Sequence, residues 1–418
     1  MIRLKNSTCR GGAGLVLRVL CLGSLSLITV CATLPAPAQT LTTLHSFTGQ
    51  MDGASPQGLV AVDRAGNVYG SAQYGGSHFG GTVFRASNRN GAWTFTPLYS
   101  FQRAQDGSDP WAGVTLGPDG ALYGTTLYGG GNGCTENMGC GTVFRLTPPP
   151  TFCRMVLCPW DETVIYHTVN PSDPNTFFGG VILDSAGDIY GMSQAGGNGT
   201  CFGNGCGTVY KLTPSGGSYT LNVIYNFQGG NDGAAPLSNE LTMDAAGNLY
   251  GAATYGGQFG YGTVFKLVHS AGGYTFQLLY TFTNGADGTS PQGSVVLDSA
   301  GNLYGSSGDG GGIFQITPSG TFTVIDTQAA SLQSPISIDA AGNIYGTTYA
   351  LGSHDDGSVF KLSYSNGVWT HTILHSFNGL DGALPLSGVG FDASGNLYGT
   401  ATIGGGPAGD GTLWQLTP

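Results

Sequence analysis

Asp298-Ser-Ala-Gly-Asn-Leu-Tyr304, followed by Gly305, decides the fold, because the chain writes this phrase seven times. Clear copies are Asp63-Arg-Ala-Gly-Asn-Val-Tyr69, Asp184-Ser-Ala-Gly-Asp-Ile-Tyr190, Asp244-Ala-Ala-Gly-Asn-Leu-Tyr250, Asp339-Ala-Ala-Gly-Asn-Ile-Tyr345 and Asp392-Ala-Ser-Gly-Asn-Leu-Tyr398. The second copy, Gly117-Pro-Asp-Gly-Ala-Leu-Tyr123, is weaker. The Asp is suited to bond the backbone of a tight turn, and the Gly to take positive φ there. Spacing between motif tyrosines runs from 41 to 67 residues and averages about 55. A period of that size suggests one four-stranded blade per copy.

Each copy holds four strand-like runs, called a to d from the axis outward. In the first copy they are Gly58 to Asp63, Asn67 to Ala72, Gly81 to Arg85 and Trp93 to Phe101. The phase of the chain points to ring closure. Beyond the first 38 residues it starts with a lone d-type run, Leu41 to Phe47, and it ends after a c-type run, Gly411 to Leu416. Joining the two in one sheet leaves no unpaired edge. The expected fold is therefore all-β, a seven-bladed β-propeller of four-stranded antiparallel blades over residues 39–418. An open β-solenoid or two smaller propellers are the alternatives.

Residues 1–38 read as a cleaved signal peptide. Arg3, Lys5, Arg10 and Arg18 come first, an apolar run from Val19 to Leu34 follows, and Ala36-Pro37-Ala38 supplies a small-residue cleavage site. The alternative is a retained anchor, although the apolar run is short of the ~20 residues a span needs. The expected product is extracytoplasmic, secreted or periplasmic, with no membrane span. The chain has 13 basic and 24 acidic residues, and four of the basic ones lie in the leader, leaving a net charge of −15. Such a surface repels nucleic acid and anionic membranes and favours cations or neutral ligands such as sugars. Of nine cysteines, Cys9, Cys21 and Cys31 fall in the leader. The others form three local pairs, Cys134/Cys140, Cys153/Cys158 and Cys201/Cys206, read as disulfides in an exported chain. Zinc is the rival reading, but these spacings lack C-x2-C and enclose no His.

The repeat resembles the bacterial family of choice-of-anchor tandem repeat GloVer-containing proteins. The resemblance lies in the D-x-x-G-N-[LIV]-Y-G turn, the loops Tyr74-Gly-Gly, Tyr128-Gly-Gly and Tyr255-Gly-Gly, and the strand Gly262 to Leu267, G-T-V-F-K-L. It covers residues 41 to 418 and implies an exported protein without a defined activity. Members often end in a sorting or anchoring segment. This chain stops at Leu416-Thr-Pro418, so a free secreted or periplasmic product is expected.

A propeller sends its d–a and b–c loops to one face and its a–b and c–d turns to the other. The loop-rich face is the expected binding face. Tyr74, Trp111, Tyr128 and Tyr255 are the candidate ligand-binding residues, each offering a ring to a sugar; packing over the blade rim is the competing role. The loop aspartates Asp52, Asp106, Asp232, Asp287 and Asp381 each precede a Gly. One Asp per blade cannot converge on a single ion, so they read as turn residues and no metal or other cofactor is expected. Blades two and three carry the longest b–c loops, and a site biased toward them is expected. Glu136, Glu162 and Glu240 are the only glutamates. Glu240 stands near the start of strand a, where Gly is common in other copies, and a carboxylate near the axis could act as acid or base. His45 and His375 replace Tyr99, Tyr225 and Tyr280 of other copies, while His78 and His354 lie in b–c loops. No G-x-S-x-G, H-E-x-x-H or phosphate loop occurs. The expected function is non-enzymatic binding of a glycan or a cell-surface protein by a monomer. A secreted carbohydrate-active enzyme and a purely structural envelope component are the alternatives.

Overall fold

The computed structural model describes residues 39–417 except 104, 132–138, 151–159, 171, 202, 238–239, 330–331 and 333. The predicted leader, Cys134, Glu136, Cys153 and Cys158 lie outside the described residues. The repeats form seven four-stranded antiparallel sheets, the blades of one β-propeller. In blade one the strands are Ala61–Val62, Val68–Ala72, Thr82–Arg89 and Ala92–Ser100, paired in that order. Strand a is shorter than the apolar run suggested, with two or three paired residues per blade. Strand b is buried throughout in six blades, as its place between a and c requires, whereas strand d shows a half-exposed alternation.

The seventh blade joins the chain's two ends. Gly390–Phe391, Leu397–Ala401 and Thr412–Thr417 supply strands a to c, and Thr40–Ser46 supplies strand d. The register runs from Thr40 opposite Thr417 to Ser46 opposite Thr412. Both edges that would otherwise be exposed are thus paired in one sheet.

Asp298 shows how the repeated turn works. Its Oδ1 accepts the amides of Ala300 and Asn302 at 2.9 and 2.8 Å, and its Oδ2 accepts Asn302 Nδ2 and Tyr304 Oη at 2.8 and 3.0 Å. One carboxylate closes the turn and fixes the tyrosine that packs between blades. Asp63, Asp244, Asp339 and Asp392 repeat the arrangement. In the weak second copy the carboxylate comes from Asp119, which takes the Ala121 amide, Tyr123 Oη and Arg145. The Gly after each motif tyrosine answers a close approach. A Cβ on Gly70 would lie 2.6 Å from Phe84 Cζ, and Phe84 is fully buried. The aromatic of strand c occupies the room the missing side chain leaves, and burying such a ring stabilises by ~1.5–3 kcal/mol.

Strand d links neighbouring blades through aromatic stacks. Tyr280 lies on Phe322 at 3.7 Å and Tyr225 on Phe276 at 4.6 Å, while His45 stacks on Phe95 at 3.7 Å. The polar tips of these rings reach the loop aspartates: Tyr280 to Asp287 at 3.0 Å, Tyr225 to Asp232 at 2.9 Å, His45 to Asp52 at 2.9 Å and His375 to Asp381 at 2.8 Å. Asp287 also accepts the Thr283 and Gly285 amides. These carboxylates tie strand d to the d–a loop, and His replaces Tyr without changing the design.

Candidate functional site

The d–a and b–c loops meet on one face through antiparallel bridges, Ala54 with Tyr74, Ser108 with Tyr128 and Ala234 with Tyr255. Where the d–a loops turn into strand a, every blade contributes to one cavity of about 90 Å³ at the axis. Gln57, Trp111, Phe178, Glu240, Gln292, Pro335 and Leu386 come from blades one to seven in order. Small residues let the blades converge there: Gly58 sits so close to Ala112 and Gly113 that a Cβ would strike their backbone.

The walls differ round the ring. Trp111 and Phe178, from blades two and three, meet edge to face, with centroids 5.6 Å apart and planes at 83°. Gln57 is 8% exposed, donates from Nε2 to Gln73 Oε1 at 2.8 Å, and keeps its own Oε1 buried without a partner. Glu240 is held through its backbone, whose amide donates to Ser294 Oγ at 3.0 Å. Its carboxylate lies against Gly180, where any Cβ would collide with it. Among the described residues no donor reaches that carboxylate. Desolvation raises its pKa from 4.5 to about 7.

The four candidate ring residues separate. Trp111 lines the axial cavity, half-buried. Tyr74 and Tyr255 stand on b–c loops, 44% and 40% exposed, and Tyr128 is partly covered. Tyr74 and Tyr128 are neighbours, and burial, the nearby Asp109 and Tyr128 raise the Tyr74 pKa. Glu162 lies on the outer strand of blade two, away from the axis, where burial and then Asp106 raise its pKa to about 7. None of the seven histidines lines the cavity. Cys201 and Cys206 form a disulfide in the blade-three b–c loop, and Cys140 is also disulfide-bonded. A disulfide fits an oxidising compartment. Among the described residues no helix is long and apolar enough to cross a membrane.

Sequence reasoning missed Phe178, Gln57 and Gln292, although a signal was present. Counting six residues back from the first residue of each turn phrase gives Gln57, Trp111, Phe178, Ser238, Gln292, Gln333 and Leu386. Five of these seven line the cavity; Ser238 and Gln333 lie outside the described residues. This column varies freely beside a nearly constant motif.

The Gloeobacter/Verrucomicrobia repeat profile matches residues 30–164 and 135–332, and the chain belongs to that family. No curated protein matches the sequence. Among solved structures, virginiamycin B lyase from Staphylococcus aureus is 17% identical, with 91% of this chain and 99% of that one covered and a TM-score of 0.57. A streptogramin B lyase is 13% identical over 91% and 97%, with a TM-score of 0.56. A catalytically inactive variant of the Staphylococcus aureus lyase with quinupristin is 16% identical over 91% and 99%, at 0.53. At these identities the likeness establishes the propeller fold.

Proposed function

We propose that this member of the Gloeobacter/Verrucomicrobia repeat family is an exported, non-enzymatic binding propeller that seats a glycan at the axial mouth of its loop-rich face. The observation carrying this reading is the paired Trp111 and Phe178 rings in a cavity to which all seven blades contribute. Two rings at right angles offer an apolar face to a sugar ring and leave its hydroxyls to the polar wall of Gln57 and Gln292. Tyr74, Tyr128 and Tyr255 extend the surface outward along the loops. Export is supported by the leader pattern and by the Cys201–Cys206 disulfide. A cavity of this size takes one sugar unit's edge, so the remainder of the glycan lies across the loops.

The test is a glycan array probed with the purified protein, with calcium and with chelator, beside Trp111→Ala. A selective hit lost in the variant supports the reading. A wild-type blank, or a hit indifferent to Trp111, removes the axial glycan site. Glu240 favours a second reading, a carbohydrate-active enzyme with this carboxyl as acid or base, since its pKa near 7 suits proton transfer. That reading requires turnover of the bound glycan that Glu240→Gln abolishes.

A further inference from the structure

We infer that the axial cavity selects an ammonium group, so that the glycan it takes carries free rather than acylated amines. This rests on the axial site proposed above and names its ligand chemistry.

The first argument is a mismatch of donors and acceptors. The Glu240 carboxylate has no donor among the described residues, and Gln57 Oε1 is buried without a partner. Among the described residues neither Lys, Arg nor His lines the cavity. Glu240 is only partly buried, so a carboxylate there with no donor and no counter-charge is open to a cationic group that enters the cavity. A ligand that brings donors and positive charge satisfies the Glu240 carboxylate.

The second argument is shape. Trp111 and Phe178 form two walls at 83°, and the Glu240 carboxylate leans against Gly180, two residues along the chain from Phe178. Ring faces and carboxylate therefore border the same small space. Aromatic faces attract cations through their quadrupole, and an adjacent carboxylate adds a full charge. At about 90 Å³ the cavity holds a single head group. An acylated amine is larger, uncharged and brings a carbonyl acceptor, the group this wall has least use for. The acidic surface draws cations toward the mouth.

Titration supports the assignment. An ionised Glu240 binds an ammonium and a protonated one does not, so affinity strengthens as pH rises through Glu240's pKa near 7. Gly180 and Ser294 pack against Glu240, and Gln57, Trp111 and Gln292 share its cavity. None of these titrates in that range, so Glu240 alone sets the profile within the site.

The test is calorimetric titration of the purified protein with glucosamine oligosaccharides and with their N-acetylated counterparts. The free-amine oligomer should bind at least ~10-fold tighter, the scale of a desolvated cation–π contact beside a charge. Its affinity should rise from about pH 5 as the carboxyl ionises and fall again at higher pH as the sugar amine loses its proton, a bell with its maximum near neutral pH. Glu240→Gln keeps the shape and should erase both the preference and the rising acid limb of the pH profile. The wild-type pH profile stands as a readout that needs no variant. Acetylated oligomers binding as well as free-amine ones, a preference that survives Glu240→Gln, or no free-amine binding at millimolar concentration each overturns the inference. If acetylated oligomers bind in a Trp111-dependent, Glu240-independent way, the axial glycan site stands and the ammonium assignment alone fails.

Discussion

Asp298 and Glu240 are carboxylates at opposite ends of the a strands of neighbouring blades, on opposite faces of the propeller, and their surroundings could hardly differ more. Asp298 accepts four hydrogen bonds. Burial alone would raise its pKa, but the donors from Asn302, Tyr304 and Ala300 outweigh that and hold it below 3.8. Glu240 receives none among the described residues, and desolvation pushes it up to about 7. The plain face thus carries carboxylates that stabilise the fold, and the axial mouth carries one that costs stability. Such unsatisfied groups persist where something other than folding needs them.

The comparison can be broken most directly by removing the satisfied partner. Asp298→Ala strips two amides, an Asn and a Tyr of their shared acceptor, and should cost about 2–4 kcal/mol in urea unfolding. Gly70→Ala tests the packing that the same repeat requires. Its new methyl meets Phe84, so a loss of about 1–3 kcal/mol is expected by the same measurement.

Glu240→Gln should act in the opposite direction. A carboxyl whose folded pKa exceeds its unfolded value has no effect below about pH 4.5, where both states are protonated. Between there and about pH 7 the unfolded state ionises first, and the folded state loses stability as pH rises. The variant should match wild type near pH 4.5 and exceed it by about 1–3 kcal/mol near pH 8. For Asp298 the sign reverses: its contribution is present above pH 3.8 and is lost as pH falls through its depressed folded value. Unfolding curves of both single variants across pH would show whether the two slopes oppose each other. The smallest stability change belongs to Trp111→Ala, half-buried at the mouth, with a cost of about 1 kcal/mol or less. It should nonetheless remove glycan binding, and this separation of stability from binding sharpens the contrast between the faces.

Much of this is legible in the sequence. The seven turn phrases gave the blade count, and the complementary phase of Leu41–Phe47 and Gly411–Leu416 gave closure. Placing His45 and His375 with Tyr99, Tyr225 and Tyr280 anticipated their shared contact with a loop Asp. The outer aromatic seam was less legible, because Tyr280 and Phe322 lie in different repeats and period alone does not say which rings meet. The candidate site was read in part. Glu240 stood out where other copies carry Gly and Trp111 as a ring on the loop-rich face, whereas Phe178 and the two glutamines are ordinary residues in a column whose meaning is geometric.

Local chemistry explains what the sequence determined unaided. A turn that needs an Asp, a Gly and a Tyr at fixed offsets is a short-range demand, so repeating it declares a blade each time. Only the tertiary structure decided that the five described residues of that variable column, one repeat or more apart in the chain, come together round one axis. Ring closure brings them together through contacts between blades. It is also what leaves Glu240 desolvated beside Gly180 and within reach of Trp111 and Phe178, since burial is set by neighbours that the local sequence does not name.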